Sequence, residues 1–409
     1  MRAKPELLSP AGDPERLQMA VRFGADAVYL AGKAYGMRAK CGNFDDAQLA
    51  EAVTFCHSHG VKVYVTCNVL ARTEEIRQMP PFLELCQDVG VDAFILGDLG
   101  VFKTAERVAP KVERHISTQM GVVSADTARA WYDLGATRVV LARELSFPEI
   151  RDIRENIPKE LELEAFVHGA MCVSFSGRCL LSNYLAGRDA NHGACAQPCR
   201  WKYALMEERR PGEYFPILED DGGTYIMNSR DLRMIDHIPE LIDAGINSFK
   251  IEGRAKSSYY AACVTNAYRH GIDAALAGQP LEAVWRDEVE KISHRHYYQG
   301  FYYGQPEQGQ FYEDARYIRD WDVVAYVVSC DEKGHSVLTQ RGRFWKGDTL
   351  ELLIPGEKPI SFQVGEMTNG AGESITYCPH PEMEIRMDLP VQAPEYAILR
   401  RQVDEQTRK

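Results

Sequence analysis

The sequence predicts an α/β protein. It reads as a (β/α)8, TIM-like barrel with a cysteine-rich insertion after its seventh strand, followed by a small C-terminal all-β barrel domain. Three observations lead there. First, one short pattern recurs as FGADAVYLAG (23–32), HGVKVYVTCN (59–68), VGVDAFILGD (89–98), LGATRVVLAR (134–143) and AGINSFKIEG (244–253). Each copy has a Gly suited to the left-handed position that closes a helix, then an apolar β-branched run suited to a strand buried on both faces. Second, adding ELLSPA (6–11), RHISTQ (114–119) and LELEAFVHG (161–169) makes eight strands, near 6, 26, 62, 92, 114, 138, 162 and 248, alternating with helical patterns. Third, the helical rhythm stops near residue 320, where WDVVAYVVSC, HSVLTQ, GDTLELLIP and ISFQVGEM are short runs separated by Gly and Pro. A doubly wound open sheet is the competing fold. No G-x-G-x-x-G follows the first strand, which counts against a dinucleotide-binding version.

In chain order, residues 1–260 form the barrel, 261–319 a helical and aromatic-rich connection, and 320–409 the β domain. DDAQLAEAVTFCHSH (45–59) and PPFLELCQDV (80–89) are typical of the helices between strands. The insertion, 170–230, carries four cysteines and then WKYALMEE (201–208) and GGTYIMNS (222–229), which read as a β-hairpin with a charged tip. A helix is expected to start at Asn228-Ser229-Arg230-Asp231, where Ser229 and Asp231 are either helix caps or functional residues. SSYYAACVTNAYRHGIDAALAG (257–278) is a long amphipathic helix.

Composition narrows the function classes. With 409 residues, 45% hydrophobic and 26% charged, the chain is an ordinary globular protein. It contains no run of eighteen apolar residues and opens without an apolar signal region, so the expectation is a cytoplasmic protein with no membrane partner. The net charge of −12 gives no overall basic footprint for nucleic acid. An RNA partner would need a local patch, and basic residues scattered over 178–256, Lys250 and Arg254 among them, offer one.

Eleven cysteines in a chain of this kind point to metal or catalysis more than to disulfides. Cys56, Cys86 and Cys263 fall in helical patterns and Cys67 ends a strand, so they are expected to be small buried hydrophobes. Cys172, Cys179, Cys195 and Cys199 differ. They stand as C-x6-C-x15-C-x3-C in a Gly-, Ser- and Asn-rich stretch just beyond strand seven. Four thiolates together hold either zinc or an iron–sulfur cluster. Structural zinc prefers tight C-x2-4-C knuckles, which only Cys195 and Cys199 approximate, whereas a 4Fe–4S cluster tolerates irregular spacing.

Location favours a reactive centre, because barrel active sites lie at the C-terminal ends of the strands. Those ends carry Ser9, Gly12, Arg38, Asn68, Asp98, Thr118, Gln119, Arg143, Glu144, His168, Glu252 and Arg254. Of these, His168, Arg38, Arg143, Glu252 and Arg254 are the catalytic candidates. Hydrolytic motifs are missing: there is no H-E-x-x-H and no G-x-S-x-G. His57 and His59 end a helix and are expected at the surface. SHRHYYQGFYYG (293–304) interleaves aromatic and basic residues, as a nucleotide-stacking segment would, although a buried plug of tyrosines explains it more simply.

EAFVHGAMCVSFSGRCLLS (164–182) resembles the signature of the collagenase-like peptidase family U32, as do ELLSPAG near the start, MRAKCGNF (37–44) and FKIEGRAKSSYY (249–260). The resemblance spans the chain and the β tail, and is closest to the tRNA uridine hydroxylation branch. It implies an oxygen-independent RNA hydroxylase with a 4Fe–4S cluster on Cys172, Cys179, Cys195 and Cys199. The product implied is 5-hydroxyuridine at the tRNA wobble position, with prephenate as oxygen donor. The family's older label, peptidase, is the alternative; a zinc- or cluster-stabilised RNA-binding protein without turnover is another. Pairing with a related family member is also implied. On this reading Arg38, Arg143 and Arg254 would meet a small dicarboxylate donor.

Overall fold

A computed structural model describes residues 4–36, 42–172, 179–188, 190, 194–198, 219–220, 223–224, 230–306 and 317–403, with the backbone alone for 183–184, 219–220 and 223–224. All eight expected barrel strands are present. They are β1 (Glu6–Pro10), β2 (Ala27–Leu30), β3 (Lys62–Cys67), β4 (Ala93–Leu96), β5 (Glu113–Ile116), β6 (Arg138–Val140), β7 (Glu162–Ala170) and, beyond the short pair β8 (Glu219–Asp220) and β9 (Gly223–Thr224) and strand β10 (Asp231–Arg233), β11 (Ser248–Ile251). Each pairs in parallel with the next, and β11 pairs with both β1 and β7, closing the ring.

Local signals explain the alternation. Asp13 accepts the Arg16 N–H at 2.9 Å and Pro14 stands at the first position of α1 (Pro14–Arg22). Asp45 and Gln48 form a reciprocal capping box on α2 (Asp46–Ser58). The repeat glycines close the helices in the left-handed region: Gly24 has φ +102° and Gly135 φ +101°. Helices α3 (Thr73–Gln78), α4 (Pro80–Asp88), α5 (Leu99–Val108), α6 (Ala125–Asp133) and α7 (Phe147–Glu155) continue the outer layer, and α8 (Leu181–Ala186) follows β7. Cys56, Cys67, Cys86 and Cys263 are buried core residues, as expected. His57 and His59 are exposed. Cys41 lies outside the described residues.

Two segments differ from expectation. Asp231 does not cap a helix. It opens β10, which runs antiparallel to β7 with Asp231 opposite Ala170, and after a 3-10 turn at Ile235–His237 the next α-helix, α9, begins at Ile238 (Ile238–Asp243). The Ser-Arg-Asp sequence looks like a cap, but pairing to a strand sixty residues earlier decides the outcome. Residues 201–208 and most of 222–229 lie outside the described residues, where β8 and β9 form the antiparallel pair that is seen.

The long helix α10 (Ser258–Leu276) is capped by Ser257 and packs against α1 and β1, and α11 (Ala283–Glu288) follows it. β12 (Tyr297–Tyr298) then extends the barrel sheet beside β10. The aromatic segment is chiefly the expected plug: His294, Arg295 and Tyr302 are buried, while Tyr303 is exposed.

The tail is an eight-stranded antiparallel half-barrel: β13 (Trp321–Cys330), β14 (His335–Gln340), β15 (Thr349–Leu353), β16 (Ile360–Gln363), β17 (Met367–Asn369), β18 (Ser374–Ile375), β19 (Glu384–Asp388) and β20 (Ile398–Gln402). One face encloses its own core around Leu338, Phe344 and Leu399. The other gives Tyr326, Leu353 and Ile398 to the barrel's core. Polar bonds tie the same seam, including Ser258 Oγ to Tyr326 Oη at 2.9 Å and Arg341 to Glu15 at 2.9 Å. Among the described residues no helix is long and apolar enough to cross a membrane.

Candidate active site

The interior of the barrel is divided. Leu8, Ala27, Tyr29, Tyr64, Ala93 and Ile95 form an apolar cluster separate from the main core. Facing them, β6, β7 and β11 supply charges. Arg138 pairs with Glu6 at 2.6 Å, Glu162 at 2.5 Å and Glu164 at 3.1 Å, and Lys250 pairs with Glu164 at 2.6 Å. Tyr64 Oη donates to Glu6 at 2.6 Å. Burial alone would raise the Glu164 carboxyl, but the Lys250 ammonium and the Arg138 guanidinium outweigh it and hold it at about 2.

Above this layer a cavity of about 1090 Å³ opens between the C-terminal strand ends and the half-barrel. Asn68, Thr118, Gln119, Arg143, Glu252 and Arg254 line it, six of the twelve strand-end residues singled out by sequence. Arg254 is buried and its Nη1 donates to Thr66 Oγ1 at 2.6 Å. Arg143 Nη1 donates to the Ala170 carbonyl at 2.8 Å, and its guanidinium lies 4.2 Å from the Phe166 ring centroid. Among the described residues Arg143 makes no salt bridge, its charge interacts with the half-buried Glu144 carboxyl, and it lines the cavity. The half-barrel contributes Trp321, Tyr326 and Arg341 to the opposite wall.

The other strand-end residues go elsewhere. Ser9 bonds Thr265 Oγ1 at 2.8 Å beneath α10, and Asp98 caps α5 by accepting the Val101 N–H at 3.0 Å. Glu144 is half-buried and burial raises its carboxyl. Gly12 lets the chain pass against the Arg254 carbonyl, where an added Cβ would collide. Arg38 lies outside the described residues.

His168 does not line the cavity. In the register of β7 against β11, Phe166 opposes Lys250 and His168 opposes Ile251, so Val167 is an extra residue. This bulge reverses the alternation. His168 turns outward among Tyr260, Tyr268 and Tyr297, where burial, reinforced by the nearby charges of His294 and Arg233, pushes its pKa well below the usual range. It is a neutral core imidazole in that setting.

Cys172, Cys179 and Cys195 line the same cavity, the first two steps beyond β7. The Gln197 N–H donates to Cys195 Sγ at 3.4 Å from a residue with φ +57°. A backbone N–H turned onto sulfur suits a thiolate that carries charge or holds a metal. Among the described residues no three His, Cys, Asp or Glu side chains are gathered closely enough to hold a metal ion, and Cys199 lies outside them. The donors present are soft thiols, which fit iron–sulfur or zinc and not a hard oxygen-seeking cation.

Sequence reasoning grouped Lys250 with a surface patch, yet it lies on the cavity floor. The signal was present: Ser248, Lys250 and Glu252 alternate with Phe249 and Ile251, so one face of this strand is polar throughout. Arg295, held by Asp231 at 2.9 Å, and Lys256, 4.3 Å from the Tyr317 ring centroid, also reach the cavity wall from segments without a strand signal.

A closed parallel barrel with a cation-rich cavity at the C-terminal ends of its strands is the architecture of a barrel enzyme. The chain belongs to peptidase family U32: the family model matches residues 12–311 and that of the family's C-terminal domain matches 319–400. It is 38% identical over 392 residues to the tRNA hydroxylation protein P1 of Bacillus subtilis, covering 94% of this chain and 92% of that protein. It is 34% identical over 446 aligned positions to the tRNA hydroxylation protein P of Escherichia coli, covering 99% and 98%. A protein of Porphyromonas gingivalis named collagenase is 34% identical over 313 positions, covering 73% and 74%.

Proposed function

We propose that this chain is an RNA hydroxylase that forms 5-hydroxyuridine at the wobble position of tRNA, using prephenate as oxygen donor and a 4Fe–4S cluster on Cys172, Cys179, Cys195 and Cys199. The observation that carries this reading is the single cavity into which three of these thiols and the cations Arg143, Lys250 and Arg254 open together. Full-length similarity to two proteins named for tRNA hydroxylation supports the substrate.

The cavity of about 1090 Å³ is at the upper end of what one small ligand needs, a size that supports a donor binding beside an extruded nucleoside. Prephenate bears two carboxylates, and the cations Arg143, Lys250 and Arg254 on the cavity wall match them in charge. Trp321, half-buried on the opposite wall, is the ring against which an unpaired base would stack. A bound cluster would supply one-electron chemistry. The chain's own residues would hold the donor, orient the base and exclude water.

The collagenase name of one relative motivates a peptidase reading. A cysteine peptidase needs an imidazole beside its thiol. Among the described residues no histidine lines the cavity, and His168 faces the other way. This favours the hydroxylase.

The test is nucleoside analysis of bulk tRNA from a strain lacking the protein, restored with the wild-type chain or a C172A variant, together with metal analysis after anaerobic purification. The expected result is loss of hydroxyuridine-derived nucleosides, rescue by wild type alone, and about four irons per chain for a 4Fe–4S site. An unchanged nucleoside profile, or a colourless protein with one zinc, overturns the reading.

A further inference from the structure

We propose that Lys250 is the floor of a carboxylate-binding site, gripping one carboxylate of the small dicarboxylate while Arg143 takes the other. This rests on the reading that such a donor enters the cavity, and adds the group that would anchor it.

Lys250 is 4% exposed and lies on the inner face of β11. Buried lysines need a reason, because desolvating an ammonium is costly. Pairing with Glu164 at 2.6 Å is one. It occupies only part of the ammonium's donor capacity. An ammonium has three N–H donors. One goes to Glu164, and among the described residues no second oxygen accepts from Nζ. The ring of Tyr29, 4.7 Å from Nζ to its centroid, and that of Phe166, at 5.5 Å, flank the charge without using up its donors. Lys250 is among the residues that line the cavity, whereas its partner Glu164 is not.

Glu164 is 0% exposed and is already held from below by Arg138 at 3.1 Å, so its carboxylate stays in place with or without a ligand. It partly offsets the charge of the ammonium, so it competes with an incoming carboxylate. Arg143, on the same cavity and without a salt bridge among the described residues, supplies the second cation. Two cations beside the same Phe166 ring in one cavity select a dianion over a monoanion.

The experiment is calorimetric titration of the full-length, anaerobically purified chain with prephenate, malonate and acetate. Wild type is compared with K250M, the charge-neutral pair K250M/E164Q, E164Q and R143M, with circular dichroism to confirm folding. The double variant keeps the interior balanced if K250M alone fails to fold. Prephenate and malonate are expected to bind wild type, and acetate only weakly. Affinity should fall about 10–100-fold in K250M/E164Q and in R143M, the range for a lost charge-assisted hydrogen bond. It should rise in E164Q, where a competing negative charge is gone. A purely structural Lys250 predicts no rise there. Wild-type affinity in folded K250M/E164Q overturns the proposal, as does failure of both dianions to bind wild type. Binding of malonate but not prephenate, lost in the variants, upholds the Lys250 site and removes prephenate as the donor.

Discussion

Arg400 of β20 and Glu288 of α11 form an ion pair at 2.5 Å, with both side chains fully buried, across the seam between barrel and half-barrel. Glu351 approaches the same guanidinium at 2.7 Å, and Tyr259 Oη lies 3.2 Å from it. Removing one partner strands a buried charge, which costs roughly 3–5 kcal/mol. R400M should therefore lower the midpoint of chemical denaturation sharply, and R400M/E288M should recover part of the loss. Equal midpoints for wild type and R400M would contradict the pairing.

The interior pair gives a pH dependence with a definite sign. Glu164 sits at about 2 in the folded chain against an ordinary 4.5. A depressed carboxyl contributes stability that is complete above its unfolded value and is lost as pH falls toward the folded one. Denaturation of wild type and E164Q at a series of pH values should show E164Q less stable by roughly 3–5 kcal/mol at pH 7. The gap should narrow between about pH 4.5 and pH 2, and a gap independent of pH would argue that Glu164 is not ionised.

Thiol reactivity should divide the cysteines. Burial pushes the thiols of Cys56, Cys67 and Cys263 up to about 12, so almost none is thiolate at pH 8. Cys172 and Cys195 are exposed. After chelation to strip any metal, a short iodoacetamide pulse read by peptide mass spectrometry should label Cys172 and Cys195 first. Comparable labelling of Cys67 would be inconsistent with its core position.

Gly12 is expected to be intolerant although it touches no ligand. An alanine Cβ there would strike the Arg254 carbonyl oxygen, a backbone atom that cannot swing aside. Overpacking of this kind costs roughly 1–3 kcal/mol. It should also displace Arg254 from Thr66, so G12A should weaken anion binding as well as lower the melting temperature. A G12A protein with both properties intact would show that the loop can shift freely.

What could be read from sequence follows a physical divide. The eight barrel strands and the end of α1 at Gly24 were legible because helix closure and strand burial are written in neighbouring residues. The six cavity residues at strand ends followed from the geometry of any parallel barrel. His168 was misleading because its direction depends on a bulge at Val167, which exists only in the register against β11. Asp231 was misread for a similar reason: its partners, Ala170 and Arg295, lie sixty-odd residues away on either side. Lys250 carried a usable signal in the polar alternation of its strand, but a lysine is by default assigned to the surface.

The cavity is walled by two modules, and this bears on how such proteins diverge. Its floor, with Lys250 and Arg143, belongs to the barrel, whereas Trp321, Tyr326 and Arg341 belong to the tail. Change in the tail reshapes the entrance and leaves the floor as it is. Relatives built on this plan can thus part company in what they admit while retaining what they do to it, and a barrel carrying a foreign tail would inherit that tail's doorway along with its fold.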